Sequence, residues 1–153
     1  MSQQVFWIAY AASNAVALLL LVAARYYPRL ARFLYFLLFA WASWINTKTA
    51  LYNPADYLNY SAYAVSFYRD FIDGWFAQHV TPMVLFIASG QALIALSMWA
   101  KGLLFRLGCI GGMLFLLGIA PLGVAAAFPF SLIAGAGLWV LLRRSGDRWL
   151  WER

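Results

Sequence analysis

Residues 6–24, FWIAYAASNAVALLLLVAA, followed at once by RYYPRLAR at 25–32, decide the fold class. The first run carries no charge and is long enough for a helix across a bilayer, which takes about 20 residues at 1.5 Å rise each. The block behind it is basic and aromatic, the mixture that settles at headgroup level. Working outward, four more apolar stretches follow at 33–50, 83–100, 107–122 and 128–142. The first three stretches meet the length requirement. The last two are short, and the alternative to two spans is one broken or re-entrant hairpin around 121–129. Two spans are preferred, because the uncharged turn at 123–127 suits an interface. The fourth can also start nearer Leu103, which leaves Arg106 within snorkelling reach of the headgroups.

Composition agrees. Of 153 residues 65% are hydrophobic and 10% charged, against about 45–50% and about 25% in soluble domains. A net charge of +6 raises nucleic acid as a partner, but the cations cluster between apolar segments, which favours membrane lipid and excludes nucleic acid. The N-terminus, Met1-Ser2-Gln3-Gln4, lacks the basic region of a cleavable signal, so the first helix is expected to be retained. Cys109, the single cysteine, sits in a Gly-rich apolar run and reads as a packing residue.

If five spans alternate, Arg25, Arg29, Arg32, Lys101, Arg106, Arg143, Arg144, Arg148 and Arg153 fall on one side. Lys48 and Arg69 fall on the other, with Asp56, Asp70 and Asp73. Cytoplasmic loops retain Lys and Arg, so the N-terminus is expected outside and the C-terminus inside a bacterial inner membrane. Trp7, Tyr10, Tyr26, Tyr27, Trp99, Trp149 and Trp151 lie where interfacial anchors belong.

The one long connection, NTKTALYNPADYLNYSAYAVSFYRDFIDGWFAQHVTP at 46–82, is too polar to span and too aromatic to be a free loop. Asn53-Pro54-Ala55-Asp56 is a turn or helix-start signal. Tyr68, Phe71, Ile72, Trp75, Phe76 and His79 recur at three- and four-residue steps, which predicts an amphipathic cap over 54–80 on the outer face. Arg69 and Asp73, four apart, can pair along its surface. The bland reading of the tyrosines at 52, 57, 60, 63 and 68 is an aromatic belt. The functional reading is a roof over a pocket for a quinone or lipid, with Tyr60, Tyr63, Tyr68, Arg69, Trp75, His79 and Gln91 as candidate ligand-binding residues. His79, the only histidine, cannot build a zinc site alone, and no catalytic or metal-binding group can be argued.

Gln91, mid-span, has to point into the bundle and serves first as interhelical glue. Gly108 and Gly112 form a GxxxG spacing for close helix approach, within the bundle or toward a membrane protein partner or second copy. No Asp, Glu, Lys or Arg lies mid-span, which argues against an ion pump or proton relay.

From 33 to 142 the chain resembles the DoxX-like family of small bacterial four-helix membrane proteins. The points of likeness are an apolar helix ending in Lys48, then Asn53-Pro54 and an aromatic connection, Ser89-Gly90-Gln91 leading into Leu93–Leu96, Lys101-Gly102, and Arg106-Leu107-Gly108. Two departures stand out: members commonly carry Glu where Gln91 stands, and 6–24 is an addition to the four-helix unit. Lys48, Gln91 and Arg106 sit at matched positions. Some members are described as quinone-reactive subunits of redox systems. The expectation is therefore an all-α bundle of five transmembrane helices with an outer cap, acting as a non-catalytic subunit or accessory protein that binds lipid or quinone. The alternatives are a quinone-reactive oxidoreductase subunit and a structural partner in a membrane complex.

Overall fold

The computed structural model describes residues 3–152, and among them every regular element is helical. α1 spans Gln3–Tyr26 and α2 spans Pro28–Tyr52. Proline suits the first helical position, where its missing N–H costs nothing, and Tyr27 before it leaves helical geometry at φ −133°. The connection that follows contains a 3-10 segment, Pro54–Ala62, the short α3, Ser66–Phe71, and a π turn, Ile72–Phe76. α4 (Val80–Ser97), α5 (Gly102–Ile119), a 3-10 turn (Ala120–Ala126) and α6 (Phe130–Arg144) complete the chain.

Three helices are long and apolar enough to cross a membrane: Gln3–Tyr26, Val80–Ser97 and Gly102–Ala126. Their outward faces are apolar, with Leu19 65%, Phe86 76% and Leu114 65% exposed. Water would not tolerate so much continuous apolar surface, whereas lipid does. The two other expected spans correspond to α2 and α6. α2 has the length, but Asn46, Thr47, Lys48 and Thr49 make its C-terminal end polar. α6 has 15 residues, fewer than a full crossing takes.

α2 packs along α4, α1 against α6, and α5 between α4 and α6. The chain ends of these helices meet in two sets. At one end the α1–α2 and α4–α5 turns meet the C-terminal tail: Arg32 bonds the carbonyls of Met98, Ala100 and Arg148, and Leu150 N–H donates to the Trp99 carbonyl at 3.2 Å. At the other end the cap meets the N-terminus and the α5–α6 turn. Phe6 stacks on Tyr63 with centroids 6.2 Å apart, and Val65 N–H donates to the Pro121 carbonyl at 3.1 Å.

The GxxxG motif is used internally. A Cβ at Gly112 would lie 2.7 Å from Leu138 Cδ1 and 3.3 Å from Phe39 Cζ, and one at Gly108 would collide with Ser97. α5 therefore approaches α2, α4 and α6 at these two residues, and both are buried. That face is occupied by the chain itself, through Ser97, Leu138 and Phe39.

Two expectations change. Arg32, read as a surface loop cation, begins α2 and is 2% exposed, its guanidinium over the Phe105 ring at 4.4 Å. The cap is not one amphipathic helix. It breaks after Phe71, and the backbone at Gly74 (φ −98°, ψ −106°) leaves helical geometry. The break splits the expected apolar face: Ile72 and Phe76 turn inward at 4% and 8% exposure, while Trp75 remains 53% exposed. Periodicity assumes an unbroken 3.6-residue repeat, and it does not survive a π turn.

Candidate functional site

Beneath the cap lies a cavity of about 980 Å³, at the upper end of the range of about 300–1,000 Å³ usual for small-molecule sites. α1 contributes Ala12, Ser13 and Val16, and the floor includes Phe39, Phe115 and Leu116. The roof consists of Tyr57, Tyr60, Phe67, Tyr68, Phe71 and Phe76. α2 and α4 close the remaining side with Asn46, Met83, Val84 and Gln91. The wall contains no Asp, Glu, Lys, Arg or His.

Three of its polar side chains form one short chain. The Tyr57 hydroxyl donates to Asn46 Oδ1 at 2.8 Å, and Asn46 Nδ2 donates to Gln91 Oε1 at 2.8 Å. Each link fixes the next: Asn46 uses both ends of its amide, and Gln91 is held by its oxygen. Gln91 is 1% exposed, and its amide nitrogen donates to no described residue. The Tyr60 hydroxyl likewise has no partner among the described residues, while its ring stacks on Tyr57 at 6.3 Å. Two donors therefore open onto the cavity, where an occupant's acceptor can meet them. Burial pushes the Tyr57 phenol up to about 12, with the adjacent Tyr60 phenol adding to the rise. Burial also raises Tyr60. Both remain protonated donors at neutral pH.

Helix packing sets this geometry. Ser43 Oγ donates to the Ala88 carbonyl at 2.8 Å and Thr81 Oγ1 to the Ala50 carbonyl at 3.0 Å. Together with Asn46 and Gln91 they make a polar seam between α2 and α4. The Tyr68 hydroxyl reaches the Gly118 carbonyl at 2.7 Å, pinning the roof to α5.

Of the seven residues singled out from sequence, Tyr60, Tyr68 and Gln91 line the cavity together. Tyr63 lies outside it against Phe6. Arg69 holds the cap's own backbone, donating to the Ser61 carbonyl at 3.2 Å and the Ala64 carbonyl at 3.4 Å, and leaves Asp73 unpaired. Trp75 and His79 stack on each other with centroids 4.3 Å apart, and His79 Nδ1 lies 2.8 Å from the Trp75 carbonyl. This pair belongs to the outer rim. Lys48 and Arg106 are exposed and away from the wall. Asn46 and Tyr57 were missed as site residues. Asn46 was readable, since a side-chain amide near the end of an apolar helix needs a partner. Among the described residues no group of His, Cys, Asp or Glu is arranged to hold a metal.

No family model, curated protein or solved structure matches the chain.

Proposed function

We propose that this protein is a non-catalytic membrane subunit or accessory protein that holds a lipid-soluble molecule with an uncharged polar head, of the quinone or neutral-lipid class, beneath its outer cap. One observation carries the reading: an uncharged aromatic cavity contains two open donors, Gln91 Nε2 and the Tyr60 hydroxyl, close to the cap. A head group with carbonyl or ether oxygens supplies what they lack, and the apolar wall accepts a ring and tail. An anionic head would enter without a counter-charge, a costly burial. The reading is consistent with the quinone-reactive members of the DoxX-like family that the chain resembles.

In this reading α1, α2, α4, α5 and the shorter α6 all cross a bacterial inner membrane, α2 and α6 shielded from lipid in part by α4, α1 and α5. The cap then lies outside and the arginine-rich end inside. Support comes from the clustering of the two sets of helix ends and from the positive-inside bias.

The experiment is purification in a mild, lipid-free detergent followed by mass spectrometry of the organic extract. A quinone or neutral lipid at near one per chain is expected, and Gln91→Leu is expected to reduce its retention by about tenfold, the value of one hydrogen bond of about 1.4 kcal/mol. An extract containing only the membrane's bulk phospholipids in their ordinary proportions overturns the proposal.

A further inference from the structure

The opposite end of the molecule carries a second, smaller cavity of about 240 Å³, and its chemistry is the reverse of the first. Its wall includes Arg29 and Arg32 from the start of α2, Arg144 from the end of α6, and Arg148 from the tail. Among the described residues Asp147 is the one carboxylate on that wall, and it makes no ion pair with Arg29, Arg32 or Arg144. Arg32 is 2% exposed, and its hydrogen bonds run to the carbonyls of Met98, Ala100 and Arg148 and to Ser145 Oγ. Carbonyl dipoles satisfy its N–H groups but leave its charge without a counter-ion, an arrangement that an adjoining anion completes. Pro28 places the first turn of α2 at the same cavity, and the unpaired amides and positive dipole end of a helix add to the attraction.

We propose that this cavity binds a phosphate group, namely that of an anionic phospholipid of the inner leaflet. The lipid source follows from position. Tyr26 and Tyr27 lie at the α1–α2 turn 67% and 65% exposed, and Trp151, stacked on Trp149 at 4.8 Å, is 61% exposed. Aromatic rings of this kind settle at headgroup depth, and basic pockets between helices on the cytoplasmic side suit anionic heads. The exposed Arg29 and Arg144 guanidiniums can meet the phosphate oxygens with paired N–H donors, while Arg32 contributes its charge from behind them.

Native mass spectrometry of the full chain, titrated with phosphatidylglycerol or phosphatidylcholine, tests this. One phosphatidylglycerol is expected to be held about tenfold more tightly than phosphatidylcholine, and Arg29→Ala with Arg144→Ala is expected to abolish the preference. Arg32 is left intact because it ties the tail to the bundle. A control pair outside the cavity, Arg25→Ala with Arg106→Ala, is expected to preserve it. Equal loss in both pairs means diffuse surface charge and overturns the site. Equal binding of the two lipids overturns the lipid source. Saturable binding of inorganic phosphate without lipid preference would instead assign a free phosphate and overturn the proposal as stated.

Discussion

At residue scale, the two buried polar centres differ in what they can lose. Arg32 supports three carbonyls at the junction of α2, the α4–α5 turn and the tail. Arg32→Leu strips those carbonyls of a charged donor and is expected to cost about 2–3 kcal/mol, read as a lower unfolding midpoint in detergent, with proteolysis of the tail as the local sign. An unchanged midpoint would mean that water replaces the guanidinium there. Tyr57 offers a pH test. Its phenol is pushed up to about 12 by burial, above the ordinary value of about 10. The folded cap therefore prefers the neutral phenol, and this group's contribution to stability is complete below about pH 10 and lost as pH rises toward 12. Tyrosinate absorbance is expected to show a late-titrating class in wild type that Tyr57→Phe reduces. Simple titration near pH 10 for every tyrosine would show a solvated cap.

Among elements, α5 packs closely against its neighbours at two glycines. Gly112→Ala places a methyl 2.7 Å from Leu138 Cδ1, whereas Gly111→Ala meets nothing closer than Ile94 Cγ1 at 3.7 Å. The first is expected to destabilise by about 1–3 kcal/mol through overpacking and the second to be neutral, compared by thermal unfolding in the same detergent. The same element shows what sequence could reveal. The small-residue stripe announced close packing but not its partners, because glycine spacing carries no address. The apolar periods of α1, α4 and α5 were legible, since lipid and protein interior both select apolar side chains. The cap was legible as aromatic and amphipathic, which found Tyr60 and Tyr68. Its break at the π turn was not, so Trp75 and His79 were placed on the wrong side of the chain. Gln91 was readable because an amide in hydrocarbon must find company. Its company, Asn46 and Tyr57, depended on the three-dimensional path of α2 and the cap. Arg32 looked like any loop cation, because its burial comes from α4 and the tail, remote in sequence.

At the scale of the whole molecule, orientation is the testable matter. Cys109 is 0% exposed, so it should stay silent toward thiol reagents and leave engineered cysteines to report. Asn59→Cys, exposed on the cap, is expected to react with an impermeant maleimide in intact cells, and Lys101→Cys only after lysis. The reverse pattern would turn the molecule over. A last consequence belongs to the uncharged wall of the large cavity. An occupant without charge moves no electrical work across the membrane field, and ions in solution have nothing there to screen. Occupancy should therefore be blind to membrane voltage and to ionic strength, so that supply and demand for the molecule, rather than the energetic state of the cell, set how full the protein is.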